Sequence, residues 1–166
     1  NLWDLYGTRT RVQMQKACPF ELSTFEGYCL LTSSFFSAYM TNTEHRLLQA
    51  ERDKTEDNTI ILHDFFYKNY DLKIKYDPSD PLKPFVEFDD QIIGSTAEAF
   101  GTIYGNGKLM CTQPVAYDSY YNVCQKFVFL YSTIYVVGKG TVGTYVNILE
   151  WISDEEAEQY KKEEGL

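Results

Sequence analysis

The run YDLKIKYDPSDP, residues 70–81, limits what this chain can fold into more than any other. Tyr70, Leu72, Ile74 and Tyr76 alternate with Asp71, Lys73 and Lys75, and a period of two puts the apolar set on one face of an extended strand. A slip of one residue in register would turn that whole set to water. The strand therefore belongs to an antiparallel sheet with one face on a core. Pro78, Pro81 and Pro84 bar both helix and ladder bonding from the connection that follows, and residues 85–88 resume as the next strand.

The same signals recur along the chain. Residues 27–32, 35–41, 59–66, 99–104, 108–112, 127–137 and 141–152 are apolar or rich in β-branched and aromatic types, and 8–15 is a weaker alternating run. Residues 45–52 read as a strand in preference to a helical turn. Gly105-Asn106-Gly107 and Gly138-Lys139-Gly140 supply the positive-φ residues of tight hairpins. No convincing helix separates the strands, so parallel crossovers are not indicated. The expected fold is all-β, a single domain over residues 1–166: an antiparallel β-barrel of about 8–10 strands, with a β-sandwich as the alternative. Only residues 153–166 break the pattern. Ser153 or Asp154 can cap a helix, Asp154, Glu155 and Glu156 suit its positive end, and Gly165 can stop it, which predicts a C-terminal helix over 154–164.

At 166 residues the chain can bury one real core. A net charge of −9 with scattered basic residues repels phosphates, so nucleic acid is not an expected partner. Asn1-Leu2-Trp3 opens without signal-peptide character, which fits a chain numbered after processing or from a boundary within a longer one. Cys18, Cys29, Cys111 and Cys124 form no zinc-ligand spacing with His45 or His63. In an exported protein Cys18 is expected to pair with Cys29 and Cys111 with Cys124, each closing a hairpin-sized loop; four buried thiols are the alternative.

The sequence carries no nucleophile elbow, metalloprotease helix, phosphate loop or dinucleotide fingerprint. Asp77, Asp80, Glu87, Asp89 and Asp90 cluster in sequence. Carboxylates of this kind could serve a glycosidase or hold Ca²⁺, but solvated turn acids are the plainer reading. No catalytic residue, metal or cofactor is expected, and enzymatic activity is the less favoured class. Two aromatic groups point instead to binding: Tyr117, Tyr120 and Tyr121 in PVAYDSYYNV, and Phe65, Phe66 and Tyr67 beside the turn at Lys68-Asn69. Loops carry binding function disproportionately, and Tyr gives large contact area at small entropic cost. The plainer alternative is that these rings fold over a barrel end.

The segment DNTIILHDFFYKNYDLKIKYDPSDPLKPFVEFDDQIIGS, followed by GTIYGNGKLMC and FVFLYSTIYVVGKGT, resembles the β-rich, calycin-like surface lipoproteins of gut Bacteroidetes that accompany SusC/SusD-type importers. That resemblance implies an exported, non-catalytic binding module at the outer-membrane surface, accessory to uptake of a glycan or peptide nutrient. It also implies a transporter complex as partner and contact with the membrane only through a lipid anchor outside this sequence. A small β-barrel hydrolase or lyase and a lipocalin-like carrier of an apolar ligand are the alternatives.

Overall fold

A computed structural model describes residues 18–101 and 107–166. A single-turn 3-10 helix, Leu22–Phe25, precedes β1 (Gly27–Ser33), α1 (Ser34–Tyr39), β2 (Arg46–Arg52), β3 (Thr59–Leu62), β4 (Leu72–Asp77) and β5 (Phe85–Glu87). Then come β6 (Gln91–Ser95), α2 (Thr96–Phe100), β7 (Lys108–Thr112), β8 (Ser119–Asn122), β9 (Phe127–Val136), β10 (Gly140–Trp151) and α3 (Asp154–Glu164). All the strand pairs among the described residues are antiparallel.

Eight strands close on themselves in the order β10-β1-β2-β3-β4-β5-β8-β9, with β9 returning to β10. This is the barrel expected from the alternation, and not the sandwich; closure removes the exposed edges of a sheet. Residues Phe127–Phe129 of β9 pair with β8, while Thr133–Val136 pair with β7, so the β6–β7 hairpin is an annex on the upper half of β9. Leu72, Ile74 and Tyr76 all face the interior and are buried, as their spacing predicts.

The interior is filled by side chains. Leu31, Leu48, Ile60, Leu62, Leu130 and Leu149 form its middle. At one end Phe25 stacks on Tyr76 at 4.5 Å and meets Trp151 edge-on at 5.1 Å. At the other, Phe35 of α1 lies flat against Phe66 at 4.6 Å. A polar layer crosses near this second end: the Ser33 hydroxyl donates to Asn147 Oδ1 at 2.6 Å, and Asn147 Nδ2 donates to Leu130 O and Ser132 Oγ. Every member of that layer is buried and paired, as a low-dielectric interior demands.

Several expectations need correction. Residues 35–41 are not a strand: Ser33 accepts a hydrogen bond from Phe35 N and caps α1, which turns the chain into the barrel mouth. Residues 96–100 likewise form a helix, opened by a capping box of Ser95 and Glu98; residues 102–104 of the expected 99–104 strand, and all of 8–15, lie outside the described residues. β3 stops at Leu62, short of the expected 66. The disulfide joins Cys18 to Cys124, with 5.3 Å between Cα atoms, and Cys29 and Cys111 are free and buried. Cys29 and Cys111 point inward from mid-strand, whereas Cys18 and Cys124 meet at a barrel end, so neither hairpin-sized pairing could form. The C-terminal helix spans Asp154–Glu164 with its own capping box, Ser153 and Glu156, and rests on β1 through buried Ala157.

Candidate functional site

β9 reads FVFLYSTIYV, apolar in both registers. Its even positions fill the barrel, and its odd positions, Phe127, Phe129 and Tyr131, stand outside and half-buried. On β8 the inward residues are Ser119 and Tyr121, which leaves Tyr120 outside. The register then sets Phe85, Tyr120, Phe129 and Ile148 side by side across β5, β8, β9 and β10. Tyr120 lies parallel to Phe129 with ring centroids 5.4 Å apart, and Tyr117, from the β7–β8 loop, stacks on Tyr131 at 5.1 Å. Phe127 meets both Tyr120 and Phe129 edge-on. The result is a ridge of five uncharged rings, four on strands and Tyr117 on a loop, with two stacked pairs among them.

The two aromatic groups singled out in the sequence fare differently. Tyr117 is 54% exposed and Tyr120 half-buried, and both belong to the ridge. Tyr121 is only 6% exposed; burial raises its hydroxyl pKa, and it packs on Phe20, Phe25 and Tyr76. Phe65 and Phe66 are fully buried. The Arg46 guanidinium donates to the carbonyls of Asp64 and Phe65 at 2.7 and 3.1 Å, folding that turn inward so that Phe66 seals the barrel end. Tyr67 is half-buried against Gly94, its hydroxyl pKa pushed up to about 12 by burial. Phe65, Phe66 and Tyr121 are therefore core residues, and Tyr67 is a packing residue. Sequence reasoning missed Phe127, Phe129 and Tyr131, although one register of a doubly apolar strand in a closed barrel has to face outward.

Of the clustered acidic residues, Asp77, Asp80 and Asp90 are spoken for locally. Hydrogen bonds from the Ser79 hydroxyl and amide hold the Asp77 carboxyl below its usual range, and Asp80 accepts from Leu82 N at 2.9 Å. Asp90 accepts from the Thr112 hydroxyl at 2.5 Å and from Tyr135 at 2.8 Å. A general acid working near neutrality needs a raised carboxyl pKa, and Asp77 is shifted the other way. Among the described residues no group of three or more His, Cys, Asp and Glu side chains is placed to hold a metal ion.

One further device shapes this side of the barrel. β5 pairs with β4 only from Lys75 onward, and the Gln91 side chain takes over beyond it. Its Oε1 accepts from Lys73 N at 2.8 Å and its Nε2 donates to Lys73 O at 2.9 Å, so one amide side chain stands in for a strand residue.

The chain belongs to the family described as "Domain of unknown function (DUF4984)", whose model matches residues 5–163. No curated protein matches it, and no solved structure does.

Proposed function

Because that membership brings no activity with it, we propose a function from the surface itself: the protein is a non-catalytic, exported binding module that takes its ligand on the aromatic ridge of β8 and β9. In this reading it is a cell-surface lipoprotein accessory to a SusC/SusD-type outer-membrane importer of glycan or peptide nutrients. The observation that carries the binding role is the outward set of Tyr117, Tyr120, Phe127, Phe129 and Tyr131, with stacked ring pairs at 5.1 and 5.4 Å. Large apolar rings held half-exposed on strands offer contact area with little left to order on binding. The interior is taken by core side chains, so the ligand belongs outside. The Cys18–Cys124 crosslink suits an oxidising compartment and so supports export.

Replacing Tyr120 and Phe129 together with Ala tests the reading. Central aromatic contacts typically contribute about 2 kcal/mol each, so affinity for a nutrient ligand or for the importer complex should fall by tenfold or more, with the melting temperature little changed. Unaltered binding by this double variant would remove the ridge from consideration.

A further inference from the structure

A surface cleft adjoins this ridge. It encloses about 610 Å³ beside the Gln91 seam and is lined by Glu56, Lys73, Lys75, Glu87, Asp89 and Gln113; ligand pockets commonly span about 300–1,000 Å³. Phe85 and Glu87 both face outward on β5, separated by inward Val86, so they stand about 7 Å apart along the strand. Phe85 is the cross-strand neighbour of Tyr120, and Lys75 is the neighbour of Glu87. The loop that carries Gln113 into the cleft carries Tyr117 onto the ridge. Cleft and ridge are thus one surface across β4, β5, β8 and β9, three strand spacings or about 14 Å wide.

From this continuity we propose that cleft and ridge form a single extended site for an uncharged oligosaccharide. The inference rests on the ridge being a binding face and names its ligand class. The cleft mixes acceptors and donors. The carboxylates of Glu56, Glu87 and Asp89 are acceptors with no hydrogen-bond partner among the described residues. Lys75 Nζ is a donor, and so is the Gln113 amide nitrogen, whose Oε1 is held by Phe88 N at 3.0 Å. Lys73 is already engaged by Asp53 at 2.8 Å. Sugar hydroxyls both donate and accept, so a polyol satisfies the two kinds of group at once. The C–H faces of the same sugar rings suit the aromatic ridge.

Other ligand classes fit less well. Three carboxylates against one uncommitted lysine oppose an anionic ligand. A peptide adding as a strand needs a free edge, and the Lys73 amide and carbonyl are already closed by Gln91. An apolar ligand would leave the cleft's charged groups desolvated and unpaired.

The experiment is calorimetric titration of the protein with neutral oligosaccharides of increasing length, the corresponding uronates and unstructured peptides. Three proteins are compared: wild type, Tyr120→Ala, and a Glu87→Ala/Asp89→Ala double variant whose changed side chains are exposed. The expected result is affinity for neutral sugars that rises with length. The double variant should lose about tenfold or more for long chains, a hot-spot-sized effect, and nothing for short ones; Tyr120→Ala should weaken both. Length-independent affinity, or a double variant equal to wild type, overturns the extended site but spares the ridge if Tyr120→Ala still binds more weakly. Tighter binding of uronates or peptides than of neutral sugars overturns the ligand class in the same way. No binding of any probe overturns the oligosaccharide site, and the ridge then stands or falls on importer-complex binding by the Tyr120→Ala/Phe129→Ala variant.

Discussion

His63 sits between two carboxylates, its Nε2 2.7 Å from Glu51 and its Nδ1 3.1 Å from Asp71. Partial burial pulls its pKa down, but those two hydrogen bonds outweigh burial, and the net shift is upward. A raised folded pKa means that the native state binds the proton more tightly. The resulting stabilisation is complete below the unfolded value of about 6.5 and is lost as pH rises through the higher folded value. The melting-temperature gap between wild type and His63→Gln should therefore be widest on the acid side of that window and close on the alkaline side. A gap that widens with pH would contradict the assignment. Gly94 gives a second prediction. A Cβ there would lie 2.8 Å from Tyr67 Cδ2, and that ring is wedged at the barrel wall. Gly94→Ala should destabilise by about 1–3 kcal/mol, the usual cost of overpacking, in a denaturant titration. An unchanged midpoint would show that Tyr67 swings away freely.

Gln91 matters as part of an element, because its amide completes a strand that is not there. Gln91→Ala leaves the Lys73 amide and carbonyl to water at a half-exposed seam. The loss should be about 1 kcal/mol, or roughly 2–4 °C in melting temperature for a chain of this size. Gln91→Glu keeps the acceptor for Lys73 N but cannot donate to Lys73 O while ionised. It should be at least as destabilised as the Ala variant at neutral pH and recover in acid, where a protonated carboxyl can donate. Equal stability of all three proteins would mean that the side-chain bridge contributes nothing. The helices show where an element can be read in sequence and where it cannot. α3 has eleven residues, a capping box, acidic residues first and Lys161 and Lys162 last, and each of those signals is local. α1 and α2 have six and five residues, too few for a helical period to show, and the aromatic composition of α1 matches that of a strand.

For the whole molecule the main covalent constraint is Cys18–Cys124, spanning 106 positions. A crosslink closing so long a loop typically stabilises by about 2–4 kcal/mol, so Cys18→Ser/Cys124→Ser should melt well below wild type. Burial pushes the Cys29 thiol far up and the Cys111 thiol up to about 12. A thiol reagent should accordingly label neither in the native protein and both after unfolding without reductant; fast native labelling would mean the barrel breathes. The sequence by itself determined β1 to β5, β7, β9 and β10, the terminal helix and the burial of Leu72, Ile74 and Tyr76, because period and capping are properties of neighbouring residues; it missed β6 and read β8 as loop. It also made Tyr117 and Tyr120 candidates for contact. Tertiary structure alone decided which register of β9 faces out, since both are apolar and only barrel closure gives the strand an inside. It likewise put Cys18 beside Cys124 and drew Phe65, Phe66 and Tyr121 into the core. Each of those outcomes depends on where a distant segment arrives: α1 beside Phe66, Phe25 beside Tyr121, the chain around Cys18 beside the β8–β9 turn. No local pattern records such a meeting.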